Sequence, residues 1–242
     1  MAKVTGGKAV YGASVGILML DARFPRIPGD MGNAATWPFP VHYRVVRRAS
    51  PDRVVRQGAT GLLDAFVDAA RDLVGDGVDG ITTNCGFLSL FQEELAKAVP
   101  VPVATSSLMQ VAMVNRLLAP GKRAGVLTIS GSTLTADHLA AAGVPPETPI
   151  GSTEGGLEFS RAILGNESEL DVELARQDNV EAALSMTEAH PELGAIVLEC
   201  TNMGPYAADI ARVTGLPVFS IVNFITWFQA GLVPCRYDPP AG

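Results

Sequence analysis

Two segments of this sequence repeat one another, and each carries a cysteine at the matching position. Cys85 and Cys200 each end a largely apolar run, and each lies 17 residues before a Pro-Val pair, at Pro102 and Pro217. A short apolar run of this length is typical of a buried strand. Self-similarity at a fixed spacing indicates a repeated structural unit. The chain is therefore predicted to contain two related halves, each presenting one thiol at the carboxyl end of a strand.

Strand-like and helix-like segments alternate along the chain, a pattern typical of parallel sheets with crossover helices. We predict an α/β fold of two pseudosymmetric Rossmann-like lobes, each an open parallel sheet of about four strands flanked by helices. The first lobe is assigned to residues 10–118 and the second to residues 119–221. A C-terminal helix, assigned to residues 222–242, is expected to pack back on the first lobe. Ligands bind outside the carboxyl ends of such strands, so the active site is expected between the lobes.

The periodicity of apolar residues places the individual elements. Further strands are predicted at residues 11–20, 41–46, 101–104, 122–129 and 216–221. Helices are predicted at residues 60–74, 88–98, 108–118, 133–142, 179–190, 206–213 and 224–230. Residues 21–40 are rich in proline and glycine without periodicity, and a loop this long in a compact domain suggests a wall or lid of the active site. Residues 145–156 are predicted to be a turn-rich connector.

Composition limits the classes of function. Hydrophobic residues make up 48% and charged residues 18% of the 242 residues, which is a globular composition. The net charge of −7 argues against binding to nucleic acid. There is no apolar run long enough to span a membrane and no recognisable signal peptide. Three cysteines do not suggest a disulfide framework, so we expect a cytoplasmic protein. The apolar composition and an arginine cluster at residues 44–56 are suited to a homodimer.

The paired cysteines have a structural and a functional interpretation. A single buried cysteine is often a small core residue, but two at equivalent strand ends are better explained by chemistry. A helix N-terminus following each cysteine would lower the pKa of its thiol and offer N–H groups to a substrate carboxylate or enolate oxygen. Cys85 and Cys200 are therefore predicted to act as acid and base on one carbon. Cys235 has no partner in the repeat and is treated as incidental.

Short polar residues near the two thiols are further candidates. Asn84, Thr201 and Asn202 either orient the thiols and substrate or cap helices. Asp21 either acts as a secondary acid–base group or caps a loop. A turn at the end of another strand is either an N-cap or an anion-binding nest. Its residues are Ser130, Gly131 and Ser132. The histidines lack metal-ligand spacing, and no nucleotide-binding or serine-hydrolase motif occurs, so neither a metal nor a cofactor is predicted.

The motifs Thr83-Asn84-Cys85-Gly86 and Glu199-Cys200-Thr201-Asn202, with the duplicated α/β layout, resemble the aspartate/glutamate racemase superfamily. This superfamily also includes hydantoin racemases, maleate cis–trans isomerases and arylmalonate decarboxylases. The resemblance extends over most of the chain, from about Val10 to Gly231. It implies cofactor-independent catalysis on a small carboxylate-bearing substrate at a cleft between two lobes. It also implies that Cys85 and Cys200 are the thiols of the first and second lobes.

The first-lobe motif departs from that of the amino-acid racemases, which usually have Cys-Asn-Thr. Here Cys85 is followed by Gly86 and Phe87, and Gly86 is placed among the substrate-binding residues. This loop looks more like the corresponding loop of arylmalonate decarboxylase, although that class generally keeps only the second-lobe thiol and this chain keeps both. The leading hypothesis is an isomerase: a racemase or epimerase acting at the carbon α to a carboxylate or carbonyl, on an amino acid such as aspartate or glutamate or a derivative. The alternatives are a decarboxylase or cis–trans isomerase on the same scaffold, and a catalytically silent binding protein.

Overall fold

Two four-stranded parallel sheets form the framework of the protein. The structure is a computed structural model that describes residues 3–237. The first sheet has the order β2-β1-β3-β4 and the second the order β6-β5-β7-β8, and the paired strands are parallel. The strands of the first sheet are β1 (Val15–Leu20), β2 (Val41–Val46), β3 (Gly80–Thr83) and β4 (Val103–Ala104). Those of the second are β5 (Arg123–Thr128), β6 (Ile150–Ser152), β7 (Leu193–Leu198) and β8 (Val218–Phe219). The predicted fold class is confirmed.

Helices and 3₁₀ turns connect and cover these strands. The α-helices of residues 3–237 are α1 (Pro51–Val55), α2 (Leu63–Asp76), α3 (Gln92–Ala98), α4 (Val111–Leu117), α5 (Ala136–Ala141), α6 (Phe159–Leu164), α7 (Val172–Ala189), α8 (Ala207–Thr214) and α9 (Ile221–Leu232). Short 3₁₀ turns lie at Ala34–Thr36, Gly86–Phe91, Ser107–Gln110 and Thr201–Tyr206. A search of the helices in the described part of the chain finds none with the length and apolar character needed to cross a membrane.

The sequence repeat corresponds to identical strand pairing in the two lobes. Ile81 pairs with Val103 in the first sheet, and Ile196 pairs with Val218 in the second. In each lobe, the N–H of the isoleucine donates a hydrogen bond of 2.9 Å to the carbonyl of the proline that precedes the valine. The repeated Pro-Val pair therefore fixes the same register twice, which places Cys85 and Cys200 at equivalent strand ends.

The last helix packs on the first sheet. Phe224 and Ile225 of α9 belong to the same buried cluster as Val15 and Ile17 of β1. Helix α9 ends at Leu232. The end of the predicted segment, residues 238–242, lies outside the described residues.

Several elements differ from the sequence-based expectations. Helix α7 begins at Val172 rather than at residue 179, because the Asp171 carboxylate caps its first turn by accepting from the backbone N–H of Glu173 and Leu174. Four of the seven residues from Val172 to Asp178 are polar, so the apolar periodicity is weaker there than in the rest of the helix. The three-residue edge strand β6 lies inside the predicted connector. The short helices α1 and α6 were not predicted, and both prove important for the site.

Candidate active site

Both repeat thiols line one cavity between the lobes. Cys85 follows β3 and Cys200 follows β7, and each precedes a 3₁₀ turn. Their exposed fractions are 8% and 7%. The polar side of the cavity is formed by Asn84, Cys85, Glu199, Cys200, Thr201 and Asn202. The predicted Gly86 also lines it. The structure thus brings both cysteines and four of the predicted substrate-binding residues together at the carboxyl ends of the central strands, where parallel sheets bind ligands.

Apolar side chains from both lobes close the other side of the cavity. They are Phe24, Pro51, Val55, Phe87, Ile163 and Leu164. Pro51 and Val55 belong to α1 of the first lobe, and Ile163 and Leu164 to α6 of the second. The cavity volume is about 20 Å³, on the scale of a single water molecule. A larger ligand therefore requires the apolar side chains of α1 and α6 to move apart.

Asn84 and Thr201 tie the two cysteine segments to the sheets and to each other. The Asn84 Oδ1 accepts a 2.7 Å hydrogen bond from the backbone N–H of Leu20 at the end of β1. The Thr201 hydroxyl donates a 2.7 Å bond to the backbone carbonyl of Asn84, in the other lobe. These buried contacts fix the relative positions of the strand ends that carry Cys85 and Cys200, while both residues remain in the cavity wall.

Asn202 orients Cys200 through a buried ion pair that sequence reasoning missed. Its Nδ2 donates a 2.5 Å hydrogen bond to Asp30, whose carboxylate also pairs with Arg26 at 2.9 Å. The amide oxygen of Asn202 is therefore turned toward Cys200, and the thiol donates to it at 3.5 Å. This bond favours the protonated form of Cys200. Asp30 lies in the proline- and glycine-rich loop, where no periodic pattern distinguishes it from other loop carboxylates.

The expectation that helix N-termini lower the pKa of both thiols is wrong for this structure. Burial raises the pKa of Cys85, and the neighbouring Glu199 raises it further, against the opposing effect of the backbone N–H groups of Phe87 and Leu88. Burial and Glu199 likewise raise the pKa of Cys200 well above its ordinary value. The turns that follow are 3₁₀ segments of six residues, which offer too few aligned dipoles to offset desolvation. Both cysteines are therefore neutral thiols in the closed cavity.

Two other predicted groups lie outside the cavity. Ser130 and Ser132 donate hydrogen bonds of 2.6 and 2.5 Å to the carboxylate of Glu154, and the Gly131 N–H donates to a serine hydroxyl of β6. Ile129, one residue earlier, lines the cavity instead. Asp21 accepts from the backbone N–H of Arg48 and pairs with Arg47 at 3.4 Å near the surface. The structure therefore places Asp21 and this serine turn away from the thiols and gives both local partners.

The serine turn provides a small-effect prediction. Burial alone would raise the pKa of Glu154, but the hydrogen bonds from Ser130 and Ser132 hold that pKa below its usual value. Because this cluster does not line the cavity, Ser132→Ala should change the turnover rate by less than about threefold, the scale of a surface substitution. Steady-state kinetics on the purified variant check this. A loss of turnover rate above a hundredfold would show that the serine turn belongs to the active site.

Glu199 is the cavity residue that the sequence interpretation left without a role. It is fully buried, with 0% of its surface exposed, and it directly precedes Cys200. A carboxylate at the end of an apolar strand is itself the signal that could have identified it, because buried acids are rare unless they are paired. In residues 3–237, no group of three or more His, Cys, Asp or Glu side chains is arranged to hold a metal ion.

Sequence comparison finds similarity to proteins named dimethylsulfoniopropionate lyase. It is 28% identical over 236 residues to a dimethylsulfoniopropionate lyase of Durusdinium sp. clade D, covering 91% of this chain and 75% of the relative. It is 27% identical over 241 residues to dimethylsulfoniopropionate lyase 7 of Emiliania huxleyi strain CCMP1516, covering 91% and 67%. No protein-family model matches the chain.

Structural comparison gives relatives at lower sequence identity. A variant of arylmalonate decarboxylase with a cysteine in place of a glycine superposes with a TM-score of 0.61 at 19% identity, over 93% of this chain and 96% of the other. The aspartate racemase of Picrophilus torridus gives 0.57 at 13% identity, over 93% and 96%. A glutamate racemase isoform of Bacillus anthracis gives 0.57 at 16%, over 90% and 82%. The two-lobed fold of this chain is therefore similar to the folds of these decarboxylase and racemase structures.

Proposed function

We propose that this chain is a cofactor-independent lyase that eliminates dimethyl sulfide from dimethylsulfoniopropionate. The observation that carries the proposal is the similarity over 91% of the chain to enzymes named for this reaction. The cavity supports it, because two thiols from different lobes line one small, largely apolar site. This scaffold is suited to proton removal next to a carboxylate, and the elimination begins with that step.

The reaction needs one base and no proton donor for the leaving group. The positive sulfonium group of the substrate favours ionisation of a cavity thiol, which releases its proton to solvent. The resulting thiolate takes a proton from the carbon next to the carboxylate, and the electron pair of that C–H bond forms the new carbon–carbon double bond. The bond between the β-carbon and sulfur breaks, and its electron pair leaves with sulfur as neutral dimethyl sulfide. Acrylate remains, and the thiol that gained the proton returns it to solvent. The polar side of the cavity stabilises the charge that develops on the carboxylate oxygens.

The two thiols are not equivalent for this role. Cys200 donates to Asn202, which stabilises its protonated form. Burial and Glu199 raise the pKa of both thiols, but two backbone N–H groups, of Phe87 and Leu88, act against this at Cys85, and only one, of Asn202, does so at Cys200. Such N–H donors favour a thiolate. We therefore assign the base to Cys85 and a positioning role to Cys200.

Product analysis tests the proposal. The purified protein is incubated with dimethylsulfoniopropionate, and dimethyl sulfide is measured by gas chromatography while acrylate is measured by NMR. We expect both products in equal amounts, at a rate proportional to the protein concentration. The absence of sulfide release under conditions where the protein is folded would rule out the proposed reaction.

Racemisation is the second candidate, because the repeat places one thiol in each lobe and both thiols in one cavity. A racemase needs both, one to remove a proton and one to return a proton from the other face. Single enantiomers of aspartate and glutamate, followed by chiral chromatography, test this function. Inversion that is lost equally in Cys85→Ser and Cys200→Ser would favour the racemase over the lyase.

A further inference from the structure

Glu199 has one carboxylate oxygen that the protein leaves unused. Its Oε2 accepts a 2.7 Å hydrogen bond from the Thr128 hydroxyl. Its Oε1 is buried from solvent and has no hydrogen-bond partner within residues 3–237. Leaving a buried polar atom unpaired costs about 1–3 kcal/mol, and more when the group is charged. Such an atom in a cavity wall indicates a partner that arrives with the ligand.

Gly86 shows where this oxygen lies. A Cβ atom placed on Gly86 would stand only 2.2 Å from the Glu199 Oε1. The oxygen therefore sits against the backbone of the residue that follows Cys85, while its own residue precedes Cys200. Both Gly86 and Glu199 line the cavity. The carboxyl group thus occupies the junction between the two cysteine segments.

The surroundings of Glu199 favour its uncharged form. Burial raises its pKa to about 7, although the Thr128 hydroxyl and the Ile129 N–H act in the opposite direction. The groups that face it do not supply a positive charge. Cys85 and Cys200 are neutral thiols, and the charge of Arg26 is matched by its ion pair with Asp30. A carboxylic acid held uncharged in this way can donate a hydrogen bond.

We propose that Glu199 binds the substrate as a neutral carboxylic acid, donating a hydrogen bond from Oε1 to an oxygen of the substrate carboxylate. The inference deepens the proposed function, since it rests on a carboxylate ligand between the two thiols. When a proton leaves the neighbouring carbon, negative charge grows on that carboxylate and the hydrogen bond strengthens. Glu199 would then contribute to the rate and not only to affinity.

A proton balance follows from this assignment. Above pH 7 the free protein carries Glu199 ionised, and two carboxylates cannot share the site without a proton between them. Binding an anionic ligand at pH 8 must therefore take up close to one proton, and at pH 5.5 almost none. The affinity for the ligand should weaken about tenfold per pH unit above 7. The thiols do not contribute, because both are protonated in the free protein and propionate, unlike dimethylsulfoniopropionate, brings no positive charge that would favour a thiolate.

Isothermal titration calorimetry with propionate tests the inference. Propionate carries the carboxylate but has no leaving group, so lyase turnover does not enter the measurement. Titrations at pH 8 in buffers of different ionisation enthalpy give the number of protons taken up. In the wild-type protein we expect close to one, and in Glu199→Gln we expect none, with propionate affinity independent of pH. Glu154→Gln, which alters a carboxylate outside the cavity, should retain the wild-type uptake.

Three results would overturn the inference: no proton uptake in the wild-type protein, equal uptake in Glu199→Gln, or no propionate binding at any pH. Trimethylsulfonium ion is the second probe, and binding that strengthens with rising pH would show that Glu199 holds a cation as a carboxylate instead. If the protein binds propionate with proton uptake but releases no dimethyl sulfide, this inference is supported and the proposed function is rejected.

Stability provides a measurement that needs no ligand. The pKa of Glu199 is raised from 4.5 to about 7 in the folded protein, so the folded state keeps a proton that the unfolded state has released. The contribution of this group to stability therefore declines as pH rises from 4.5 to 7. Chemical denaturation of wild-type protein and Glu199→Gln should show the variant gaining relative stability between pH 4.5 and pH 8. A difference that is constant with pH would contradict the raised pKa.

Discussion

Cys85→Ser is expected to lower the rate of dimethyl sulfide release by about 10²–10⁴-fold, the range that general acid–base catalysis contributes. A serine hydroxyl has nearly the size of the thiol but is a far weaker acid, so the base is lost while the cavity is preserved. The measurement is steady-state sulfide release by purified variants whose circular dichroism matches that of the wild type. Cys235→Ser is the matched control, because Cys235 is exposed and distant in sequence from the cavity segments.

Cys200→Ser distinguishes the two candidate reactions. An elimination requires only one proton transfer, so this variant should retain more activity than Cys85→Ser. A racemase would lose its activity equally in both variants, because each thiol serves one face of the carbon. A larger loss in Cys200→Ser than in Cys85→Ser would reverse our assignment of the base, and full activity in both variants would exclude thiol catalysis altogether.

Gly86→Ala is expected to destabilise the fold by about 3 kcal/mol, at the upper end of the cost of overpacking. The added Cβ would lie 2.2 Å from the Glu199 Oε1 and 2.6 Å from the Glu199 backbone carbonyl oxygen. The carboxylate can shift, but the backbone oxygen is fixed by the β7 strand end. The strand that carries Cys200 must therefore move, so we also expect loss of activity. Urea denaturation followed by circular dichroism measures the change in the free energy of unfolding.

Gly75→Ala is the control for this substitution. Gly75 lies in α2, and a Cβ there would meet no atom within 4 Å. Alanine is the better helix former by up to about 1 kcal/mol, so this variant should be as stable as the wild type or more so. If Gly86→Ala were also neutral, the close packing of Glu199 against Gly86 would be wrong, and with it the position assigned to Oε1.

The sequence was sufficient for the fold because it repeats. The paired positions of Cys85 and Cys200, and the Pro-Val pairs that follow them, are reproduced as equal strand registers in the two lobes. Local elements without periodicity escaped prediction. Helices α1 and α6 span only five and six residues, too few for an apolar face to be recognised, and yet they close the cavity.

Only the site residues at the ends of the repeated strands could be predicted from the sequence. Both thiols, with Asn84, Gly86, Thr201 and Asn202 beside them, were predicted because they lie at the ends of the matched strands, whereas Glu199, also adjacent to Cys200, was given no role. Asp30 was missed because the loop at residues 21–40 has no repeat counterpart and no periodic pattern. The carboxylate of Asp30 is connected to the site only through its hydrogen bond from Asn202, which is distant in sequence. The direction of the thiol pKa shifts was also beyond sequence reasoning, since it depends on how completely the apolar side chains of both lobes exclude water.

The departure from the racemase motif now has a physical explanation. The resemblance to amino-acid racemases leads to the expectation of an asparagine after Cys85, but a side chain on Gly86 would meet the Glu199 carboxyl group. A glycine after Cys85 and a glutamate before Cys200 are thus one feature, formed by two lobes. Neither residue predicts the other from local sequence, because they are joined only when the lobes come together.

The most direct test of the central claim is a single NMR experiment in D₂O. Dimethylsulfoniopropionate and the separate enantiomers of aspartate and glutamate are each incubated with the wild-type protein and with Cys85→Ser. We predict acrylate from dimethylsulfoniopropionate with the wild type, a loss of at least about a hundredfold in the variant, and no deuterium at the α-carbon of the amino acids. Deuterium entering an amino acid with inversion, while dimethylsulfoniopropionate stays unchanged, would contradict the account and identify a racemase.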